Sequence, residues 1–129
     1  MNYQLPKNER LHAEKSIKEL FHEGSSFFLF PFKVQFFVKK DVPLGTQKVL
    51  FSVSKRKFKK AVDRNFVKRR IKEAYRLNKH LITLQNIELN IGFIYVAGNL
   101  MEFSEIQPKI ILCLKKLQAE LTENQSIHE

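Results

Sequence analysis

The residues best equipped for chemistry in this chain are cations, and they are crowded. Lys55, Arg56, Lys57, Lys59, Lys60, Arg64, Lys68, Arg69, Arg70, Lys72, Arg76 and Lys79 share one stretch with only two acids, Asp63 and Glu73. The formal charge of +10 is the charge of that stretch, because the rest of the chain holds eleven bases and eleven acids. A field so localised selects a polyanion, above all nucleic acid, whose phosphates Lys and Arg neutralise with release of condensed counterions.

Helical spacing sharpens this reading. Residues 61 to 80 contain no Pro or Gly, and Val67, Ile71, Ala74 and Tyr75 recur at three- and four-residue steps, which predicts an amphipathic helix. At about 100° per residue, Lys68, Lys72, Asn65, Arg76 and Arg69 gather in an arc of roughly 100° opposite the apolar stripe. Asn65 is the one neutral member, and its amide suits a directional bond to a phosphate, a 2′-hydroxyl or a base edge. A merely solvated face would mix signs, because like charges four residues apart cost a few tenths of a kcal/mol each. Lys55 to Lys60 add a basic loop at the helix entrance, where the helix dipole and free amides also favour an anion.

A second surface is suggested by aromatics. Phe21, Phe27, Phe28, Phe30, Phe32, Phe36 and Phe37 crowd into seventeen residues, and only one face of a strand there can line the core. Phe37 shares its strand face with Lys33, Gln35 and Lys39, the mix of ring and cation that single-stranded nucleic acid uses for stacking and backbone tracking.

Catalytic apparatus is not visible. Ser52, Ser54 and Ser104 lack a companion His and Asp, no Gly-rich loop can cradle a phosphate, and the carboxylates are too dispersed for a metal nuclease. Cys113 is the sole cysteine, so neither an internal disulfide nor a Cys-based zinc site can form, and His12, His22, His80 and His128 have no ligand spacing. No metal or cofactor bound by the protein itself is expected. The opening residues lack an apolar signal run, and the longest apolar stretch, near residues 26–32, is far short of a membrane span, so a cytoplasmic protein is expected.

The elements that must position these residues follow from pattern. At 129 residues with 43% hydrophobic content, a single domain over residues 1–129 is expected, with loose tails at 1–9 and 122–129. Ala13, Ile17, Leu20 and Phe21 predict a first helix, ended by Gly24 in the left-handed conformation. Residues 32–39 alternate as a strand with one polar face. Residues 41–46 read as a hairpin connection to a second strand over 48–54, the two pairing antiparallel. Residues 88–97, apolar at nearly every position, predict a strand covered on both faces. Ser104 is the expected N-cap of a last helix carrying Ile106, Ile110, Ile111, Leu114, Leu117 and Leu121. The sum is an α/β (α+β) two-layer sandwich with helices on a small sheet.

The stretch Phe51-Ser52-Val53-Ser54-Lys55-Arg56, followed by Ala61-Val62-Asp63-Arg64-Asn65-Phe66-Val67-Lys68-Arg69-Arg70-Ile71-Lys72-Glu73-Ala74-Tyr75-Arg76, resembles the signature of the bacterial ribonuclease P protein subunit. Arg10-Leu11, the Ile17 to Phe21 helix and Gly24-Ser25 extend the likeness upstream. The resemblance implies an αβββαβα-type order with residues 27–39 divided into two strands, a small mixed sheet and a left-handed crossover. It implies that Arg64, Asn65, Lys68, Arg69 and Lys72 contact the catalytic RNA subunit. A cleft lined by Ile17, Phe21, Lys33, Gln35, Phe37 and Ser52 would hold the single-stranded 5′ leader of precursor tRNA, and Mg²⁺ would be held by the RNA. The chain departs from the pattern at Phe66, where the family has Arg, at Lys72, also usually Arg, and at residues 57–60, which replace the usual Gly. Gln35 stands where an aromatic is often found. Arg70, one turn on from Phe66, is the expected substitute for the lost guanidinium. The competing reading, resting on size and charge alone, is a structural RNA binder of ribosomal-protein type without a role in cleavage.

Overall fold

The computed structural model describes residues 5–43, 45–83 and 86–126. Its main elements are α1 (Glu14–Glu23), β1 (Ser25–Leu29), β2 (Phe32–Lys40), β3 (Thr46–Val53), α2 (Ala61–Asn78), β4 (Ile87–Tyr95) and α3 (Phe103–Ser126). That is the αβββαβα order, with a mixed four-stranded sheet in the order β1-β2-β4-β3.

The strand most uniformly apolar takes the interior of the sheet. β4 pairs antiparallel with β2 from Phe32↔Tyr95 to Lys40↔Ile87, and parallel with β3 from Thr46↔Glu88 to Val53↔Tyr95. The expected direct pairing of β2 with β3 is therefore replaced: the two run antiparallel, but β4 is inserted between them. A β2–β3 hairpin would have left β4 on an edge, with its Leu89, Ile91 and Phe93 unprotected on one side, whereas a parallel neighbour needs the long crossover that α2 supplies.

One sheet face carries the core. Phe51 stacks on Phe93 at 5.9 Å, and Tyr75 of α2 meets both rings edge-on at 5.7 and 6.0 Å. Val67, Ile71, Ala74 and Tyr75 have no exposed surface, and neither have Ile106, Ile110, Cys113, Leu114 and Leu117 of α3. At about 1.5–3 kcal/mol for each fully buried large apolar side chain, this underside fixes α2 firmly on the sheet.

The opposite face is covered only in part, by α1. Leu20 is fully buried there, and a Cβ on Gly92 would stand 3.3 Å from Leu20 Cδ2, so the missing side chain lets the helix settle on β4. Glu19 pairs with Lys39 at 3.3 Å.

Three further expectations give way to local geometry. Gly24 is extended (φ −78°, ψ 167°), not left-handed. What demands glycine is space, since a Cβ would collide with the Leu20 carbonyl and lie 2.6 Å from Phe36 O. Ser104 lies inside α3, and the Glu105 carboxylate closes the first turn by accepting from the Glu102 amide at 3.3 Å. The described part of the N-terminal tail is anchored: Leu5 is buried, Lys7–Glu9 forms a 3-10 turn, and the Leu11 amide donates to Val49 O at 2.9 Å. At the other end α3 runs to Ser126.

Burial pushes the Cys113 thiol up to about 12, and the thiolate is the reactive species. The native protein is therefore expected to resist a disulfide reagent at pH 8 and to take up one equivalent only on unfolding. Immediate stoichiometric labelling under native conditions would contradict the packing of α3.

Candidate nucleic-acid interface

The fold separates the predicted polar and basic residues by whether the protein itself engages them. Asn65, Lys68, Arg69 and Lys72 occupy neighbouring positions on the outer face of α2, and among the described residues none of them makes a side-chain hydrogen bond or an ion pair. Lys72 has its pKa lowered by burial first, then by the positive charges of Lys68 and Arg10. The fold thus holds ammonium groups against their own repulsion, a cost that a bound anion removes.

Other cations are engaged by the protein. Arg64 folds back on the helix entrance, donating from one terminal nitrogen to Phe58 O at 2.6 Å and Lys59 O at 3.0 Å. Arg76 is clasped by Glu73, with Nη2 2.7 Å from Oε1 and Nε 3.1 Å from Oε2. Arg70, the expected substitute for the guanidinium missing at Phe66, is held within the protein. Its guanidinium lies 3.9 Å over the Phe66 ring, donates to Met101 O at 2.6 Å and pairs with Glu102 at 3.5 Å. Loop carbonyls and carboxylates that spacing along one helix cannot reveal have drawn these three arginines into structural work.

The entrance loop remains cationic. Lys55, Arg56, Lys59 and Lys60 are exposed, while the Lys57 ammonium donates to the Val96 carbonyl and ties the loop to the end of β4. The Arg56 amide donates to Ser54 Oγ at 3.1 Å, which shapes the turn after β3.

Two residues join the site through topology. Arg10 bridges Val49 in parallel beside β3, and with Leu11, His12, Val49, Leu50, Phe51, Lys68 and Lys72 it lines a pocket of about 190 Å³. Arg10 and His12 lie more than fifty residues from Lys68, and no spacing rule joins them to it.

On the α1 side of the sheet, strand register sets Phe28, Lys33, Ile94 and Ser52 in one row across all four strands. Phe28 and Phe21 are 64% and 43% exposed, and Lys33 is open to solvent, so rings and an ammonium stand together at the uncovered end of this face. Alternation along the chain does not assign Phe28 to this row, because its place there depends on the register of β1 against β2. Gln35 leaves the predicted cleft: it is 7% exposed, and its amide donates to Leu20 O at 3.1 Å, holding α1 down. Phe37 is partly buried, in the row between Gln35 and Lys39, both of which α1 contacts. Ile17 and Ser52 are also partly buried. Beside Phe37 in the register, Asn90 is 1% exposed, and its side-chain amide has no hydrogen-bond partner among the described residues.

Among the described residues no group of three or more His, Cys, Asp or Glu side chains is arranged to hold a metal ion, and no helix is long and apolar enough to cross a membrane. The surface presents cations on α2 and rings with a cation on the sheet.

Comparison with known proteins identifies the family and the fold. The family model described as Ribonuclease P matches residues 5–118. The Ribonuclease P protein component of Porphyromonas gingivalis is 37% identical over 107 residues, 80% of this chain and 78% of that protein. That of Chlorobaculum tepidum is 35% identical over 83 residues, 61% of this chain and 53% of its own length. Two solved structures share the fold at 24% identity. The RNase P protein of Staphylococcus aureus has a TM-score of 0.67 over 87% of this chain and 97% of its own, and that of Thermotoga maritima has 0.64 over 84% and 96%. A family model spanning nearly the whole chain, and a relative matched over most of both sequences, place this chain in the ribonuclease P protein family.

Proposed function

We propose that the chain is the RNA-binding subunit of a ribonuclease P ribonucleoprotein in the cytoplasm, helping a catalytic RNA remove the 5′ leader from precursor tRNA. The observation that carries this reading is the row Asn65, Lys68, Arg69 and Lys72 on a helix whose underside is fully buried, in a chain of this family. Such a face neutralises several phosphates at once and holds its amide and guanidinium where they can select a folded RNA. The catalytic centre and its Mg²⁺ belong to the RNA in this account. The protein contributes affinity and a positive field that offsets phosphate repulsion between RNA and substrate.

The leader, in this reading, runs over the uncovered sheet face, with bases on Phe21 and Phe28, its backbone along Lys33, and Phe37 and Ser52 bordering the strip. Single strands bind by this combination of π surface and cation with little sequence preference.

The reading is tested by cleavage of precursor tRNA at low Mg²⁺ by a bacterial ribonuclease P RNA, with and without the protein. Stimulation is expected, because added positive field substitutes for counterions, and no stimulation would overturn it. Arg69→Ala should weaken RNA binding and reduce the slope of log affinity against log salt by about 0.7 to 0.9, the share of one phosphate contact; an unchanged slope puts Arg69 outside the interface. Phe37→Ala is expected to weaken leader-bearing precursor more than mature tRNA, and equal losses on both would make Phe37 a packing residue.

A further inference from the structure

Phe66 sits on the RNA-facing helix one step from Asn65 and three from Arg69, and it is 46% exposed. A single exposed apolar side chain is ordinary on a protein surface. This one differs in being braced. Arg70, which could have served a phosphate, instead lays its guanidinium 3.9 Å over the ring and is itself held by Met101 O and Glu102. The ring's orientation is thereby set before any partner arrives, and its surface away from Arg70 remains in reach of solvent. At about 100° per residue, Phe66 lies about 60° around the helix from Arg69, so a partner held by the cationic arc passes beside it. Val62, one turn earlier on the same stripe, is 77% exposed and continues the apolar strip.

We propose that Phe66 is a stacking platform for an unpaired base of the partner RNA, and that Arg70 is its positioning residue. The inference rests on the RNA-binding reading of α2 and adds a contact of a different kind. Asn65, Lys68, Arg69 and Lys72 address phosphates and polar edges, whereas Phe66 addresses a π face, which a double-stranded stem does not offer along its side. An RNA segment with a splayed base opposite Phe66 is therefore selected over a continuous helix. The strong cationic surround favours RNA over a protein as the occupant of this strip.

The test uses the full chain and a bacterial ribonuclease P RNA, with Phe66→Ala, Phe66→Leu and Phe66→Trp compared by affinity at several salt concentrations. Phe66→Ala and Phe66→Leu are expected to lose about five- to hundredfold in affinity, the range typical of one stacked base, with an unchanged salt slope because no phosphate contact is removed. Phe66→Trp should keep or improve the affinity, which shows that lost binding in the other two is not misfolding. The chain has no tryptophan, so the indole of Phe66→Trp is a lone reporter. Its emission should be quenched, and shielded from acrylamide, when the RNA is added. Equal affinity for all three variants and the parent, or an indole that stays open to acrylamide in the complex, overturns the platform while leaving the RNA-binding reading intact. Equal losses for Phe66→Leu and Phe66→Trp also overturn it, since that pattern belongs to a shape-specific apolar contact such as a protein partner would make. Failure of the parent protein to bind the RNA at all removes both readings together.

Discussion

Packing of α2 on the β3–β4 aromatics is the constraint on which the remainder depends. Val67, Ile71, Ala74 and Tyr75 lose all exposure, with Tyr75 edge-on to Phe51 and Phe93, a gain of several kcal/mol on ordinary transfer values. Repulsion among Lys68, Lys72 and Arg69 costs only tenths of a kcal/mol per pair on an exposed helix, and the lowered pKa of Lys72 records part of that cost. Burial outweighs repulsion, so the helix can carry cations that no acid of its own face relieves. Without the aromatic anchor the same sequence would be a short, self-repelling segment with little reason to stay helical.

The same balance explains why the two faces of the sheet are used differently. One face is sealed by α2 and α3. The other is crossed by α1, pinned by the Gln35 amide, the Glu19–Lys39 pair and the close approach at Gly92. The row of Phe28, Lys33, Ile94 and Ser52 lies beyond that crossing. Asn90, buried without a partner near Phe37 among the described residues, runs against the usual rule for interiors.

Much of this was legible in the residues. The three- and four-residue steps of Val67, Ile71, Ala74 and Tyr75 identified α2 and its outer arc, because amphipathic periodicity is a local property. The near-continuous apolarity of residues 88–97 marked that strand as covered on both faces, though not that it would part β2 from β3. What escaped detection depends on partners distant along the chain. Arg64, Arg70 and Arg76 are the same residue type as Arg69, yet loop carbonyls, a phenyl ring and Glu73 engage the first three. Gln35 lies on the predicted polar face, but the Leu20 carbonyl above it takes its amide. Arg10 reaches Lys72 only because the N-terminal segment pairs beside β3. Chain pattern reports which side of an element faces out; it does not report what the fold then lays across that side.

One paired measurement tests whether the cations of α2 are kept for a partner at some cost to the fold: chemical denaturation and RNA affinity of the Lys68→Gln, Lys72→Gln double variant. The expected result is a protein as stable as the parent or more so, by up to about half a kcal/mol from relieved repulsion, with RNA binding sharply weakened. A variant that is less stable yet binds RNA as tightly as the parent would mean that the cations serve the fold, and would contradict their assignment to a partner.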